Sequence, residues 1–266
     1  MGHSSGERWA LILGASSGFG AAAGLELAKD GFNIAGVHLD RKTTLPLVEQ
    51  VIQNLKQTGR TVQFWNVNAA DPEKRKEVLD QLEPMVKGSN GQVTVLMHSL
   101  AFGTLKPYIA NEQKDALTQD QMEMTLDVMA HSLVYWTQDL FFRKLIGSGS
   151  RIFAMTSSGG RRVWPNYGAV SAAKAALESH IRQLALELAP HGVAANTIRA
   201  GVTNTPALRK IPGNEQMMEY AKLRNPHHRL TTPEDVAKAI VSLSNSGTEW
   251  VTGNVIGADG GEDIVG

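Results

Sequence analysis

A glycine-rich turn near the start of the chain carries the groups that hold a phosphate. An apolar run at residues 11–13 continues into G-A-S-S-G-F-G, residues 14–20, and then into the helical segment A-A-A-G-L-E-L-A. A strand, a glycine turn and a helix N-terminus surround an anion with backbone N–H groups, and the helix dipole favours the negative charge. Twenty residues after Gly20 comes Asp40, at a position where a carboxylate accepts hydrogen bonds from ribose hydroxyls. This arrangement predicts a dinucleotide site that consists of Gly14, Ser16, Ser17, Gly18, Phe19, Gly20 and Asp40.

The same turn also matches the G-x-S-x-G pattern of a hydrolase nucleophile elbow, with Ser16 as the nucleophile. That interpretation predicts acyl transfer without a cofactor. A nucleophile elbow needs an upstream strand and loop that supply an oxyanion donor. Here the motif follows the first predicted strand of the chain, so the dinucleotide site is the favoured interpretation.

The residues after the second and third predicted strands bear on which dinucleotide is bound. The carboxylate of Asp40 would repel a 2′-phosphate, which favours NAD(H). Arg41 follows immediately, and its guanidinium could bind that phosphate instead, so NADP(H) stays open. Asn66 and Val67 come at the end of the third predicted strand, and we expect them to contact the adenine.

A second group of reactive side chains lies in R-R-V-W-P-N-Y-G-A-V-S-A-A-K, residues 161–174. This segment resembles the short-chain dehydrogenase/reductase superfamily, in which a Tyr and a Lys from one helix form the active site. Most members separate the two by three residues, but here Val170 occupies that Tyr position. Tyr167 stands six intervening residues before Lys174, a spacing that is similar to the enoyl-acyl-carrier-protein reductases of bacterial fatty-acid synthesis.

Three further stretches carry the same resemblance, which covers the chain from Trp9 to Gly261. They are H-S-L-A-F at residues 98–102, R-A-G-V-T-N-T at residues 199–205, and Met129 about where ketoreductases keep an active-site Asn. The resemblance implies that Tyr167 and Lys174 are catalytic. It also implies cofactor contacts by Lys174 and by Ser99, Leu100, Ala101, Ala200, Gly201, Val202 and Thr205. His98 is expected to be a buried histidine beside them.

One position departs from the enoyl reductase pattern. Many of these enzymes carry a second Tyr ten residues before the catalytic one, and here that position is Ser157. A serine there resembles the catalytic Ser of ketoreductases and also an enoyl reductase subtype, so Ser157 is a third catalytic candidate.

The resemblance therefore implies an NAD(P)H-dependent reductase of α,β-unsaturated acyl thioesters, with an acyl carrier protein as the candidate carrier of the acyl group. A carbonyl or 3-oxoacyl reductase of the same superfamily is the alternative. A dinucleotide-sensing protein without catalysis is a third hypothesis, and the presence of both Tyr167 and Lys174 weighs against it.

Short β-rich runs alternate with helical patterns along the chain, as a parallel sheet with crossover helices requires. We expect a single-domain Rossmann fold, a doubly wound parallel sheet of about seven strands with helices on both faces. The predicted strands are Trp9–Leu13, Asn33–Leu39, Thr61–Asn66, Val93–His98, Arg151–Thr156, Val193–Arg199 and Gly253–Asp259. The clearest helix is Ser171–Ala189, and Gly31 is expected just past the end of the first helix. The Pro-rich stretch 204–233 is predicted to be a substrate-binding lid.

Composition excludes several classes of protein. The 266 residues include 26 basic and 26 acidic side chains, so the net charge of zero gives no argument for nucleic acid or a membrane surface. There is no cysteine, which excludes disulfides and thiolate metal sites and fits a cytoplasmic protein. The histidines show no H-E-x-x-H spacing, so no metal is predicted. Trp136, Phe141 and Phe142 on a predicted helix are expected to serve either core packing or a subunit interface, and the resemblance favours the interface, in a homotetramer or dimer.

Overall fold

Seven parallel strands form one sheet in the computed structural model, which describes residues 6–265. The strand order across the sheet is β3-β2-β1-β4-β5-β6-β7, which is the doubly wound arrangement expected from the sequence. The strands are β1 Arg8–Leu13, β2 Asn33–His38, β3 Val62–Asn66, β4 Gln92–His98, β5 Arg151–Thr156, β6 Ala194–Ala200 and β7 Val255–Ala258. The last strand is shorter than predicted, because Gly253 turns the chain with a φ of 77°.

Helices connect the strands and cover both faces of the sheet. They are α1 Gly18–Lys29, α2 Leu45–Lys56, α3 Pro72–Gly88, α4 Gln119–Leu126, α5 Ser132–Phe142, α6 Gly168–Leu188, α7 Asn214–Arg224 and α8 Pro233–Ser244. A turn of π-helix, Asp127–His131, joins α4 to α5. Gly31 follows the end of α1 with a φ of 93°, a conformation that glycine tolerates and that the sequence predicted there.

Two apolar cores lie on opposite faces of the sheet, because successive residues of a strand point to opposite faces. Trp9, Leu11 and Leu13 of β1 belong to the core that α3, α5 and α6 cover. Ala10 and Ile12 of the same strand belong to the other core, under α1 and α8. The sequence segments that form the strands are therefore apolar at successive positions, as expected of a sheet that is buried on both sides.

Trp136 corrects one sequence expectation. Its side chain is fully buried in the first core, and its indole N–H donates to the carbonyl oxygen of Ala69 at 2.8 Å. The interface role favoured for Trp136 is therefore wrong, since no surface of its ring is left for another subunit. Phe142 is exposed on the same helix and Phe141 is partly buried, and their interface role stays a prediction.

The sheet topology also decides where ligands can enter. The chain leaves β1 toward β2 on one side and returns to β4 on the other, so a crevice opens at the carboxyl ends of β1 and β4.

Within residues 6–265, no helix has the length and apolar character needed to cross a bilayer. In the same residues, no group of three or more His, Asp or Glu side chains is placed to hold a metal ion.

Candidate active site

The glycine turn between β1 and α1 is so tight that no residue with a side chain fits at two of its glycine positions. Gly14 has a φ of 90°, and a Cβ atom there would lie 2.5 Å from the carbonyl oxygen of Ser99. A Cβ atom on Gly20 would overlap the carbonyl oxygen of Gly14. Ser17 is the N-cap of α1, but its hydroxyl does not cap the helix. The first N–H groups of α1 therefore have no side-chain cap, and the turn fits the diphosphate of a dinucleotide.

Segments that follow three different strands meet at this turn. Ser99 comes directly after β4, and its backbone N–H donates to the carbonyl oxygen of Leu13 at 2.8 Å. Thr205, which follows β6, places its methyl group 3.5 Å from where a Cβ atom of Gly18 would lie. The predicted cofactor residues 14–20, 99–101 and 200–205 thus border one crevice, at the carboxyl edge of the sheet. Their contacts with a cofactor stay predictions.

Asp40 lies just beyond β2, and its carboxylate is already held by neighbouring donors. The Thr44 hydroxyl donates to Oδ1 at 2.8 Å, and Nδ1 of His38 lies 3.0 Å from Oδ2. Partial burial would raise the pKa of Asp40, but hydrogen bonds from Ser16, Thr44 and His38 lower it below its ordinary value. Asp40 is thus ionised at neutral pH, as a ribose-binding carboxylate must be.

The Asn66 side chain makes two hydrogen bonds to Asp40 that the sequence did not predict. Its side-chain amide accepts a hydrogen bond from the Asp40 N–H at 2.9 Å and donates to the Asp40 carbonyl oxygen at 3.0 Å. These two bonds fix the backbone of Asp40 beside β3. The adenine contact predicted for Asn66 stays a prediction, and the structure adds a role in positioning Asp40.

The three predicted catalytic residues meet at the carboxyl end of β5. Ser157 follows this strand directly, and Tyr167 is the N-cap of α6, at the mouth of the helix. Lys174 lies further along α6 and is buried; its Nζ donates to the carbonyl oxygen of Met155 at 2.7 Å. The Tyr167 ring covers Gly159, where a Cβ atom would lie 2.5 Å from its Cε1 and 3.2 Å from the Ser157 Oγ. The fold therefore brings all three together.

The protonation states of this group suit the donation of hydrogen bonds. Burial raises the pKa of the Tyr167 phenol, more than the nearby Ser157 hydroxyl lowers it, so the phenol stays protonated at neutral pH. Burial lowers the pKa of Lys174 to about 8, although Glu178 opposes the shift. The Ser157 Oγ is buried. Among the residues that the structure describes, no partner meets the full geometry of a hydrogen bond to it, although the Tyr167 phenol is close enough for Ser157 to lower its pKa. This hydroxyl can therefore pair with a ligand.

Val170 occupies the Tyr position of most superfamily members, and it is closed off from the cleft. Its side chain is buried under Gly103, where a Cβ atom would lie 2.9 Å from Val170 Cγ2 and 2.9 Å from Met129 Sδ. The Met129 side chain belongs to the π-helical turn and is buried as well. A substrate oxygen in the cleft could therefore accept a hydrogen bond from a hydroxyl at position 167 but not from one at position 170.

His98 forms part of the wall behind Lys174. It is fully buried, and its Nε2 lies 2.9 Å from the Ser132 hydroxyl. Its Nδ1 has no hydrogen-bond partner among the described residues, so it is only half satisfied. Burial, and then the charge of Lys174, lower the pKa of His98 to about 3. This imidazole is therefore neutral at any pH at which the protein would work.

The comparisons with known proteins agree with this geometry. A model of the family described as Enoyl-(Acyl carrier protein) reductase matches residues 14–262. The chain belongs to this family, within the short-chain dehydrogenase/reductase superfamily. It is therefore an oxidoreductase of the short-chain dehydrogenase/reductase type.

Individual members of the superfamily are distant in sequence and similar in fold. An enoyl-[acyl-carrier-protein] reductase [NADH] of Aquifex aeolicus is 29% identical over 71% of this chain and 69% of its own length. A 1-cyclohexenylcarbonyl-CoA reductase of Streptomyces collinus is 28% identical over 96% of this chain and 86% of its own. The crystal structure of the Aquifex reductase superposes with a TM-score of 0.81, at 24% identity, over 100% of this chain and 99% of that one.

Sequence reasoning missed several residues of this short-chain dehydrogenase/reductase site. His38 lies two residues before Asp40, and Glu178 lies one helical turn after Lys174, so their spacing could have indicated both. Glu178 accepts a hydrogen bond from the Thr156 hydroxyl at 2.7 Å. No sequence pattern indicated Glu262, because its carboxylate accepts a hydrogen bond from the backbone N–H of Val202, which lies sixty residues away in the chain.

Proposed function

We propose that this protein is an NADH-dependent reductase of α,β-unsaturated acyl thioesters. The observation that carries the proposal is the position of the hydroxyl on α6. Tyr167 supplies it at the mouth of the helix, whereas Val170, at the Tyr position of most superfamily members, has no hydroxyl and is buried. In an enoyl thioester the carbonyl oxygen lies two carbons further from the carbon that accepts hydride than it does in a ketone. A donor that is set back by three residues, at the mouth of α6, suits that longer distance. The names of the Aquifex and Streptomyces relatives, which denote reductases of such thioesters, support the same substrate class.

The chain's own residues would stabilise the charge that the reaction creates. When bound, a reduced nicotinamide would supply the hydride for the β-carbon of the substrate; the enolate so formed would carry negative charge on the thioester oxygen until its α-carbon takes a proton from solvent. Tyr167 donates a hydrogen bond to that oxygen from a cleft where little water competes. Lys174 keeps a positive charge nearby and binds the nicotinamide ribose. Ser157 adds a second donor or orders a water molecule.

The cofactor preference is proposed from Asp40. An ionised carboxylate accepts ribose hydroxyls and repels a 2′-phosphate, so NADH is favoured. We expect Asp40→Ala to weaken NADH binding about tenfold, since a hydrogen bond to a charged group is lost, and to strengthen NADPH binding, since the repulsion of its 2′-phosphate is removed. Titration of the variant with each dinucleotide measures the ratio of the NADH and NADPH dissociation constants. An unchanged ratio, together with a changed ratio in Arg41→Ala, would assign the preference to Arg41.

Turnover of two thioesters tests the substrate class. We expect the rate with crotonyl thioester to exceed the rate with acetoacetyl thioester by about 100-fold or more, because the ketone oxygen lacks a donor at position 170. Absorbance at the nicotinamide band follows both reactions with the same enzyme sample. Equal rates, or faster ketone reduction, would favour the 3-oxoacyl reductase instead and would assign the Ser157 hydroxyl to the ketone.

The acyl carrier and the lid extend the proposal. Arg209 and Lys210 are exposed in segment 204–233, where they could meet an acidic carrier protein. This segment is tied to the loop before Tyr167, because the Trp164 indole donates to the carbonyl oxygen of Pro212 at 3.3 Å. A closing movement of the segment would therefore act on the loop that holds the catalytic phenol. The proposed assembly is a homotetramer or dimer.

The pKa of Lys174 sets the expected alkaline limit of activity. Lys174 is protonated below about pH 8 and loses its proton as the pH rises through that value, so turnover should fall above about pH 8. Glu178 raises this pKa, and Glu178→Gln should therefore move the fall in turnover to lower pH. The matched control is Glu187→Gln, which changes an exposed carboxylate of the same helix. An alkaline limit that stays in place in Glu178→Gln would show that another group sets it.

A further inference from the structure

The segment that connects Ser157 to Tyr167 has no core packing of its own, since none of its residues is buried. It contains the adjacent glycines Gly159 and Gly160, which leave the backbone free to adopt many conformations. Asn166, directly before Tyr167, has a φ of 62°. The backbone hydrogen bonds of the segment join its own residues to one another. Polar contacts with other parts of the chain therefore have to fix its position.

The Asp263 carboxylate provides such contacts. Asp263 belongs to the 3₁₀-helix Glu262–Ile264, which follows β7, and its side chain is only 10% exposed. The guanidinium of Arg161 donates a hydrogen bond to Oδ2, and Nη2 of Arg162 lies 3.2 Å from Oδ1. Arg162 also donates to the backbone carbonyl oxygen of Asp263 at 3.1 Å. One residue after β7 thus binds both arginines of the segment.

The other side-chain hydrogen bond that leaves the segment leads to an exposed loop. Within residues 6–265, the Trp164 indole is the remaining donor of this kind, and it bonds to the carbonyl oxygen of Pro212 at 3.3 Å. Pro212 is exposed in the proposed lid. Asp263, in contrast, is connected to the sheet, because Nη1 of Arg199 on β6 lies 3.3 Å from its Oδ2. Of the two connections, the one at Asp263 is therefore the one that leads to the sheet.

Three guanidinium groups surround the Asp263 carboxylate. Arg161 and Arg199 contact the same oxygen, Oδ2, so the carboxylate holds these two cations side by side. The Arg199 side chain is only 15% exposed, and solvent screens its charge less than at an open surface. Asp259, the other carboxylate of the cluster, lies 3.5 Å from Arg199. Without the charge of Asp263, Arg199 would repel the arginines of the segment and displace it.

We propose that Asp263 is a positioning residue of the active site, which holds the segment between Ser157 and Tyr167 against the sheet and so fixes the Tyr167 phenol. The segment contacts the phenol ring directly, because a Cβ atom on Gly159 would lie 2.5 Å from Cε1 of Tyr167. A displacement of the segment would therefore move the phenol relative to the substrate. Misplacement of a reacting group by about 1 Å can lower a rate about 100-fold. The inference rests on the role of Tyr167 in the proposed function.

Turnover with crotonyl thioester tests the positioning role. We expect Asp263→Ala to lower turnover about 10- to 100-fold. Asp263→Asn should give an intermediate loss, because its neutral oxygen accepts weaker hydrogen bonds. The NADH dissociation constant should stay within about twofold, since the diphosphate lies on the distant turn at residues 14–20.

A double variant separates positioning from a general effect on the fold. Asp263→Ala should cause no further loss of turnover when it is combined with Tyr167→Phe, because the segment then has no phenol to position. A residue that only stabilises the fold would lower turnover by the same factor in both backgrounds.

Cleavage by trypsin measures the contact without substrate or cofactor. Trypsin cuts after arginine, so Arg161 and Arg162 are cleavage sites that their pairing with Asp263 protects. We expect cleavage at these two sites to be about tenfold faster in Asp263→Ala than in the wild type, because a hydrogen bond to a charged group no longer opposes local opening. Mass spectrometry of the fragments separates these sites from the other lysines and arginines, whose cleavage should not change.

Two control variants keep the Asp263 carboxylate. Ile264→Ala changes an exposed residue of the same 3₁₀-helix, and Glu77→Gln removes an exposed carboxylate from an ion pair on α3. Both should keep the wild-type turnover and the wild-type cleavage pattern. If Asp263→Ala does not fold, Arg161→Gln combined with Arg162→Gln removes the same contact by changing exposed side chains only. This variant should lower turnover to the same extent.

Three results would overturn the inference. They are wild-type turnover in a variant that lacks the contact, an equal loss of turnover in the Tyr167→Phe background, and unchanged cleavage at Arg161 and Arg162. Full activity of Tyr167→Phe by itself would be a different result. It would refute the mechanism of the proposed function, and the positioning role of Asp263 with it.

Discussion

Replacing Tyr167 with Phe should lower turnover by about 100- to 1,000-fold, which is the usual effect of removing one hydrogen-bond donor to a developing oxyanion. The phenol lies at the start of α6, and position 170 of the same helix offers no hydroxyl because it holds a buried valine. The ring would keep its packing against Gly159, so the fold and the cofactor site should not change. Steady-state kinetics with crotonyl thioester measures the loss.

The control for this variant is Tyr135→Phe, which removes a partly exposed phenol on α5. It should leave turnover within about twofold, since a surface substitution outside the cleft changes little. NADH should bind to Tyr167→Phe with nearly the wild-type dissociation constant, because the phosphates lie at residues 14–20. Full activity of Tyr167→Phe would refute the proposed mechanism, and a parallel loss of NADH binding would show that the phenol supports the cofactor instead.

The second large effect is expected for Gly20→Ala, which should weaken dinucleotide binding about a thousandfold. A Cβ atom at this position overlaps the carbonyl oxygen of Gly14 and lies 3.3 Å from Cα of Ala15. Both atoms belong to the backbone of the turn, so the turn has to open. The diphosphate would lose at least two hydrogen bonds from N–H groups, each worth about 1.5–3 kcal/mol when the acceptor is charged.

Gly88→Ala is the matched control for this effect. Gly88 ends α3, and nothing lies within 4 Å of an added Cβ atom there. Alanine should stabilise the protein by about 0.5–1 kcal/mol at that position and leave dinucleotide affinity unchanged. Calorimetric titration with NADH and a thermal melt measure both quantities for each variant. Wild-type NADH affinity in Gly20→Ala would show that the diphosphate does not lie on this turn.

Much of the fold follows from patterns within short stretches of sequence. Continuous apolar runs such as residues 9–13 predict strands that are buried on both faces, and their alternation with helices predicts a doubly wound sheet. The glycine turn could be predicted because its requirement for residues without side chains is local. The pairing of Tyr167 with Lys174 was accessible through their spacing on one helix and through the resemblance that this spacing carries.

The tertiary structure alone decided which groups surround those residues. Trp136 is a core residue because α5 packs against the chain near Ala69, a contact that no local pattern encodes. Val170 is closed off by Gly103, which comes from the segment after β4. Glu262 reaches Val202 only because β6 and β7 are neighbours in the sheet. The sequence by itself therefore determined the elements and indicated the candidate catalytic side chains, since periodicity and turn chemistry act over a few residues. Their partners come from segments far apart in the chain, and only the packing of the sheet brings those segments together.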